Sequence, residues 1–132
     1  MRALEGRRIL IADDEVRIGE LLCAYLSGQG AIVNCAHDGA EAFRLATLGN
    51  PDAVIMDLNM PGTNGLEAIR SLRITDPQKP ILVLTGYTTE ENFAAAREAG
   101  ASECMAKPPV LRDVCAILVK LLGQPPSAQP GT

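Results

Sequence analysis

The run Ala53-Val54-Ile55-Met56 is apolar throughout and stops at Asp57, ahead of Pro61, Gly62 and Gly65. A short apolar run bounded by turn residues predicts a strand buried on both faces. Four more runs follow the same rule. Arg7 and Arg8 lead into Ile9-Leu10-Ile11-Ala12, which stops at Asp13-Asp14-Glu15. Ala31 to Ala36 stops at the turn His37-Asp38-Gly39, and Ile81-Leu82-Val83-Leu84 stops at Thr85-Gly86. A weaker fifth strand, Ala101 to Ala106, stops at Lys107-Pro108-Pro109.

Helical patterns fill the gaps. Ile18, Leu21, Leu22 and Tyr25 recur at helical spacing, and the helix ends near Gly28 and Gly30. Ala40 to Leu48 forms a second helix closed by Gly49-Asn50-Pro51. Leu66, Ile69 and Leu72 mark a third, ended by Pro77 and Pro80. A fourth runs from about Thr89 to Ala99, capped by Thr88 or Thr89 and ended by Gly100. The last, Val110 to Leu122, carries Val114, Ile117, Leu118 and Leu121 on one face and closes at Gly123. That face is core first and a candidate homodimer surface second.

Five alternating strand–helix units predict an α/β fold, a (βα)5 doubly wound parallel sheet. Right-handed crossovers favour the flavodoxin-like order 2-1-3-4-5. Residues 1–123 are expected to form one domain, and the Pro-rich stretch 124–132 a disordered tail or linker. With two Tyr, two Phe and no Trp, the core must be aliphatic. The net charge of −4 argues against direct nucleic acid binding and against an anionic membrane surface. No apolar run reaches the length of a membrane span or resembles a signal peptide, so the chain is expected to be cytoplasmic. Cys23, Cys35, Cys104 and Cys115 show no CxxC spacing and are expected to be reduced and mostly buried. His37, the single histidine, is expected to be a solvated turn residue.

In order 2-1-3-4-5, strands one and three are neighbours, so Asp13, Asp14 and Asp57 converge at the carboxyl edge. That edge is where open α/β sheets bind ligands. Thr85 and Lys107 end strands four and five on the same edge. At an effective dielectric of 20, three carboxylates about 5 Å apart repel by roughly 3 kcal/mol per pair. Either one carboxyl holds a proton or a hard divalent cation neutralises the group, and oxygen-only ligands select Mg2+ over zinc. Carboxylate nucleophile, metal, ammonium and hydroxyl together make a phosphoryl-transfer set.

These residues resemble the receiver domain of bacterial two-component response regulators. The matches are Asp13-Asp14, the Asp57-x-x-Met60-Pro61-x-x-x-Gly65 signature, Thr85-Gly86 and Lys107-Pro108, and they span residues 7 to about 122. The resemblance implies a phospho-accepting switch. Asp57 would take a phosphoryl group from the phosphohistidine of a sensor histidine kinase or phosphotransfer protein. Asp14, Asp57 and the backbone carbonyl of Asn59 would ligate Mg2+, with Asp13 acting through water. Thr85 and Lys107 would bind phosphoryl oxygens. Asn59 and Tyr87 stand where the family tunes loss of the phosphoryl group. A cis Lys107–Pro108 bond is implied as well, aiming the lysine at the acids. The face made by helix 4, strand 5 and helix 5 would be reshaped for a downstream output domain or protein. Catalysis would be limited to self-catalysed transfer and autodephosphorylation.

Two positions depart from the family pattern. The switch position three before the lysine, usually aromatic, is Cys104, and Pro109 follows Lys107-Pro108. A small thiol cannot swing between two pockets as a ring does, so Thr85 is expected to carry the switch, with Tyr87 the ring that reorients. Other classes fit less well. A Mg2+-dependent phosphatase with an aspartyl nucleophile needs a second acid at the position of Asn59. An FMN binder needs a Ser/Thr/Gly loop where Asp13-Asp14-Glu15 stands. A non-phosphorylated interaction module or a fixed structural domain leaves the convergence of Thr85 and Lys107 with the acids unexplained.

Overall fold

The structure, a computed structural model, describes residues 2–60, 64–86 and 89–123. Its elements are β1 (Arg8–Ala12), α1 (Val16–Gly28), β2 (Ile32–Ala36), α2 (Gly39–Gly49), β3 (Ala53–Asp57), α3 (Gly65–Thr75), β4 (Ile81–Thr85), α4 (Glu90–Ala99), β5 (Glu103–Ala106) and α5 (Leu111–Leu122). The strands form one five-stranded sheet in the expected order β2-β1-β3-β4-β5, and every pairing is parallel. The tail 124–132, Tyr87 and Thr88 lie outside the described residues, as do Pro61, Gly62 and Thr63 of the Asp57 signature.

Alternation along the strands splits the core into two layers. Leu10, Val54, Met56 and Val83 pack against Ala42 and Ala46 of α2, Ile69 and Leu72 of α3, and Ala96 and Ala99 of α4. Ile9, Ile11, Ile55, Leu82 and Leu84 face the other way, against Leu22 and Leu26 of α1 and Val114 and Leu118 of α5. β3 and β4 are buried along their whole length, as strands covered on both faces must be.

Two strands start later than their apolar runs, and the reason is shared. The Ala31 amide donates to the Leu26 carbonyl at 3.1 Å, closing α1, and the Ala101 amide donates to the Ala96 carbonyl at 2.9 Å, closing α4. Each alanine follows a glycine at positive φ, +98° at Gly30 and +126° at Gly100. This is the Schellman ending, and it spends the first residue of each run on the helix. Thr89 caps α4, its side chain accepting from the Asn92 amide at 3.1 Å. Val110 is the residue before α5 rather than its first.

The four cysteines are free, but only Cys115 is buried. Cys23, Cys35 and Cys104 are half-buried: β2 and β5 are the edge strands of the sheet, and Cys23 lies beside the face of α1 that Leu22 and Leu26 bury. His37 is exposed, as its turn position implies. Among the described residues, no helix is long and apolar enough to cross a membrane.

Candidate functional site

β1 and β3 pair in register with Ala12 beside Met56, and β3 pairs with β4 so that Asp57 lies beside Leu84. One step beyond Ala12, the chain turns at Asp13. Asp57 is the last residue of β3, Thr85 the last of β4, and Lys107 follows the end of β5. The register therefore delivers Asp13, Asp14, Asp57, Thr85 and Lys107 to one edge.

Asp13 and Asp57 are buried, with Asp14 half-buried beside them. Each of the three offers a carboxylate oxygen, and those oxygens lie within 4.8 Å of one another. Asp13 Oδ1 accepts from the Glu15 amide at 2.8 Å and from Lys107 Nζ at 3.1 Å. Its Oδ2 lies 2.9 Å from Nζ but is not aligned to accept, and it has no hydrogen-bond partner among the described residues. Asp57 Oδ1 accepts from the Asn59 amide at 3.1 Å, and Oδ2 accepts from Lys107 Nζ at 3.1 Å. An unsatisfied buried oxygen among three carboxylates is a donor set that fits a hard cation such as Mg2+.

Both buried groups are shifted upward, which disfavours the charge on Asp57 and favours it on Lys107. Burial pushes the Asp57 carboxyl above its ordinary range, and nearby Asp13 adds to this. The Asn59 amide and Lys107 offset it only in part. Burial by itself would lower the Lys107 pKa, but hydrogen bonds to Glu15, Asp13 and Asp57 outweigh it and push the ammonium up. Lys107 stays charged at any physiological pH.

Thr85 is fully buried beneath the cleft, and its Oγ1 accepts from Asn59 Nδ2 at 3.3 Å. Asn59 itself is exposed and joins the end of β3 to the end of β4. The Lys107–Pro108 bond is cis. Above the acids opens a cleft of about 450 Å3, lined by Asp14, Glu15, Asp57, Asn59, Gly86 and Lys107. Gly65 is the first residue of α3. A Cβ there would stand 2.5 Å from the Leu58 carbonyl oxygen, so only glycine lets α3 start this close to β3.

Cys104 lies away from the cleft, on β5 against α4. It is half-buried rather than buried, and its thiol donates a long bond of 3.8 Å to the Phe93 carbonyl. Sequence reasoning missed Glu15. Its carboxylate takes the shortest of the contacts made by Lys107, 2.5 Å to Nζ. The signal was present in the third acid of the run that ends β1.

The family model of the response regulator receiver domain matches residues 9–119. Response regulator MprA of Mycobacterium ulcerans (strain Agy99) is 40% identical over 115 residues, covering 87% of this chain and 50% of that protein. The chain thus spans about half the length of the curated relatives it matches. A putative response regulator from Chloroflexus aurantiacus superposes with a TM-score of 0.84 at 31% identity, covering 89% of this chain and 98% of the other. A response regulator protein from Burkholderia pseudomallei with a phosphorylated aspartic acid, calcium ion and citrate superposes with a TM-score of 0.79 at 31% identity, covering 83% of this chain and 65% of that one. The chain belongs to the response regulator receiver domain family.

Proposed function

We propose that the chain is a phospho-accepting switch in which Asp57 takes a phosphoryl group from the phosphohistidine of a sensor histidine kinase or phosphotransfer protein. The observation that carries this reading is the position of Asp57. It is a buried carboxylate held at one oxygen by the Asn59 amide and at the other by Lys107. An Asp57 oxygen forms the bond to phosphorus, the phosphorus–nitrogen bond to the imidazole breaks, and the leaving nitrogen takes its proton from water. A carboxylate nucleophile needs no general base. Asp14, Asp57 and the Asn59 carbonyl would hold Mg2+, with Asp13 reached through water. The ion supplies charge neutralisation for the incoming phosphoryl oxygens.

Lys107 and Thr85 receive those oxygens. The added charge, about −1.5 to −2 for a phosphoryl group, biases the face of α4, β5 and α5 toward a second arrangement read by an output domain or protein. Residues 1–123 make up the switch, which works in the cytoplasm, and 124–132 act as a linker. The phosphorylated aspartic acid of the Burkholderia pseudomallei relative supports the same chemistry here. Turnover as a phosphatase lacks its general acid, because Asn59 stands at that position and its amide is spent on Thr85.

Incubation with acetyl phosphate and Mg2+ should add one phosphoryl group to the intact mass, and Asp57→Asn should abolish it. Undiminished labelling of Asp57→Asn, or labelling unchanged in excess chelator, would overturn the reading.

A further inference from the structure

Lys107 has three N–H donors, and all three are taken. They go to Asp13 Oδ1 at 3.1 Å, Asp57 Oδ2 at 3.1 Å and Glu15 Oε1 at 2.5 Å. Asp13 and Asp57 belong to the cluster of oxygens suited to a cation, and Glu15 does not. An ammonium and a divalent cation repel strongly at contact distance, so they cannot share the same carboxylates without cost. Filling the cluster therefore requires Lys107 to give up acceptors.

Glu15 is built to receive it. Its backbone is pinned, with its amide on Asp13 Oδ1 and its carbonyl accepting from the Gly19 amide at 3.0 Å. It stands at the N-cap of α1, yet its side chain makes no capping hydrogen bond. The side chain turns instead to Lys107. An ion pair between two exposed residues contributes little. Here one partner, the Lys107 side chain, is only 9% exposed while Glu15 is 54% exposed. The lysine stem is held in the fold while the glutamate is free to follow its head group.

We propose that Glu15 is a positioning residue that retains Lys107 at the mouth of the cleft when a divalent cation takes the oxygens of Asp13 and Asp57. This rests on reading the cleft as a metal-assisted phospho-acceptor. It assigns Glu15 a task separate from metal ligation: it lowers the cost of moving Lys107 aside and keeps the ammonium within reach of the phosphoryl oxygens.

The test is a double-mutant cycle on Mg2+ affinity, followed by titration of the full chain without phosphodonor. Glu15→Gln should weaken Mg2+ binding about three- to tenfold in the wild-type background, and less than about twofold in Lys107→Met, where no ammonium has to move. Equal weakening in both backgrounds would mean that Glu15 contributes only its charge, and no weakening in the wild-type background would leave it without a role; either overturns the proposal. Failure of the wild-type chain to bind Mg2+ would instead remove the reading of the cleft itself. A second measurement does not depend on the folding of any variant. In the Mg2+-saturated wild-type chain, Lys107 Hε should keep nuclear Overhauser contacts to Glu15 Hγ. Their disappearance on saturation would overturn the proposal.

Discussion

At the amino edge of the sheet, Lys79 reaches from the α3–β4 loop to the Pro51 carbonyl at 2.5 Å and Asn50 Oδ1 at 3.2 Å, with Asp76 Oδ2 at 3.6 Å. At the carboxyl edge, Lys107 meets Asp13, Glu15 and Asp57. Both side chains are almost fully buried, at 7% and 9% exposure. Their nearest partners differ in kind. Those of Lys79 are neutral dipoles, a backbone carbonyl and a side-chain amide, which neither titrate nor accept a phosphoryl group. Those of Lys107 are carboxylates, which can do both. With Asp14 counted, four carboxylates surround one ammonium, so the carboxyl edge holds a surplus of negative charge and the amino edge does not. One lysine is a strut, and the other is an exchangeable counter-ion.

Replacing both lysines should break them apart. Lys79→Met strands the carbonyl of buried Pro51, while water can reach exposed Asn50, and a buried acceptor left without its donor costs about 1–3 kcal/mol. The Tm should fall about 10 °C below wild type, and that gap should be the same with and without Mg2+, because the ion stabilises both chains alike. Lys107→Met removes a charge that a divalent cation can replace, so its deficit should shrink as Mg2+ rises, by mass action on the folded state. Thermal melts with and without Mg2+ decide the point. If the ion rescued both variants equally, the two edges would not differ in the way argued.

A smaller effect separates the two edges by pH. The Asp57 carboxyl has a folded-state pKa raised above its ordinary 3.8, with burial the main cause. The folded state therefore holds that proton more tightly than the unfolded chain. Its contribution to stability is present below 3.8 and is lost as pH rises through the raised value. Asp57→Asn removes the penalty, so the variant should melt a few degrees above wild type at neutral pH, with the gap closing toward pH 3.5 or so. Stability traded for a charged, buried site is the usual mark of function. Lys79→Met compared with wild type in the same melts should show a gap that does not follow this window. A gap for Asp57→Asn that stayed constant from acid to neutral pH would remove the argument.

The two edges were unequally legible in the sequence. Asp13, Asp57, Thr85 and Lys107 each end an apolar run, so the sheet order alone brings them together. Lys79 sits between Gln78 and Pro80 in a polar loop, and nothing in Asp76-Pro77-Gln78-Lys79-Pro80 marks it as buried. Its partners come from Asn50 and Pro51, on the loop before β3, a contact set by tertiary packing. Arg73 is hidden for the same reason. It donates to the Gly100 carbonyl at 2.6 and 3.1 Å, fixing α3 to the end of α4. Glu15 was visible as a residue but not as a role, because its contact with Lys107 depends on where the exposed side chain turns. The late starts of β2 and β5 were missed because the helix endings at Gly30 and Gly100 claim the next alanine's amide.

The smallest effect belongs to Cys104, and it tests whether signal leaves the carboxyl edge through Thr85. An equilibrium moves only as far as the contacts of its two states differ. The Cys104 thiol makes one long bond of 3.8 Å to the Phe93 carbonyl, and serine can make the same bond. Thr85 is fully buried and joined through Asn59 to the end of β3. Cys104→Ser should therefore change stability by no more than about 0.5 kcal/mol. It should also leave the response to beryllofluoride intact, read as amide shift changes in α4 and β5. Thr85→Ala should still bind beryllofluoride at Asp57, with the shift changes in α4 and β5 cut back. If Cys104→Ser erased those changes while Thr85→Ala kept them, the cysteine would be the lever. The signal would then leave by the margin of the sheet, through β5 and Phe93, rather than through the buried hydroxyl at its centre.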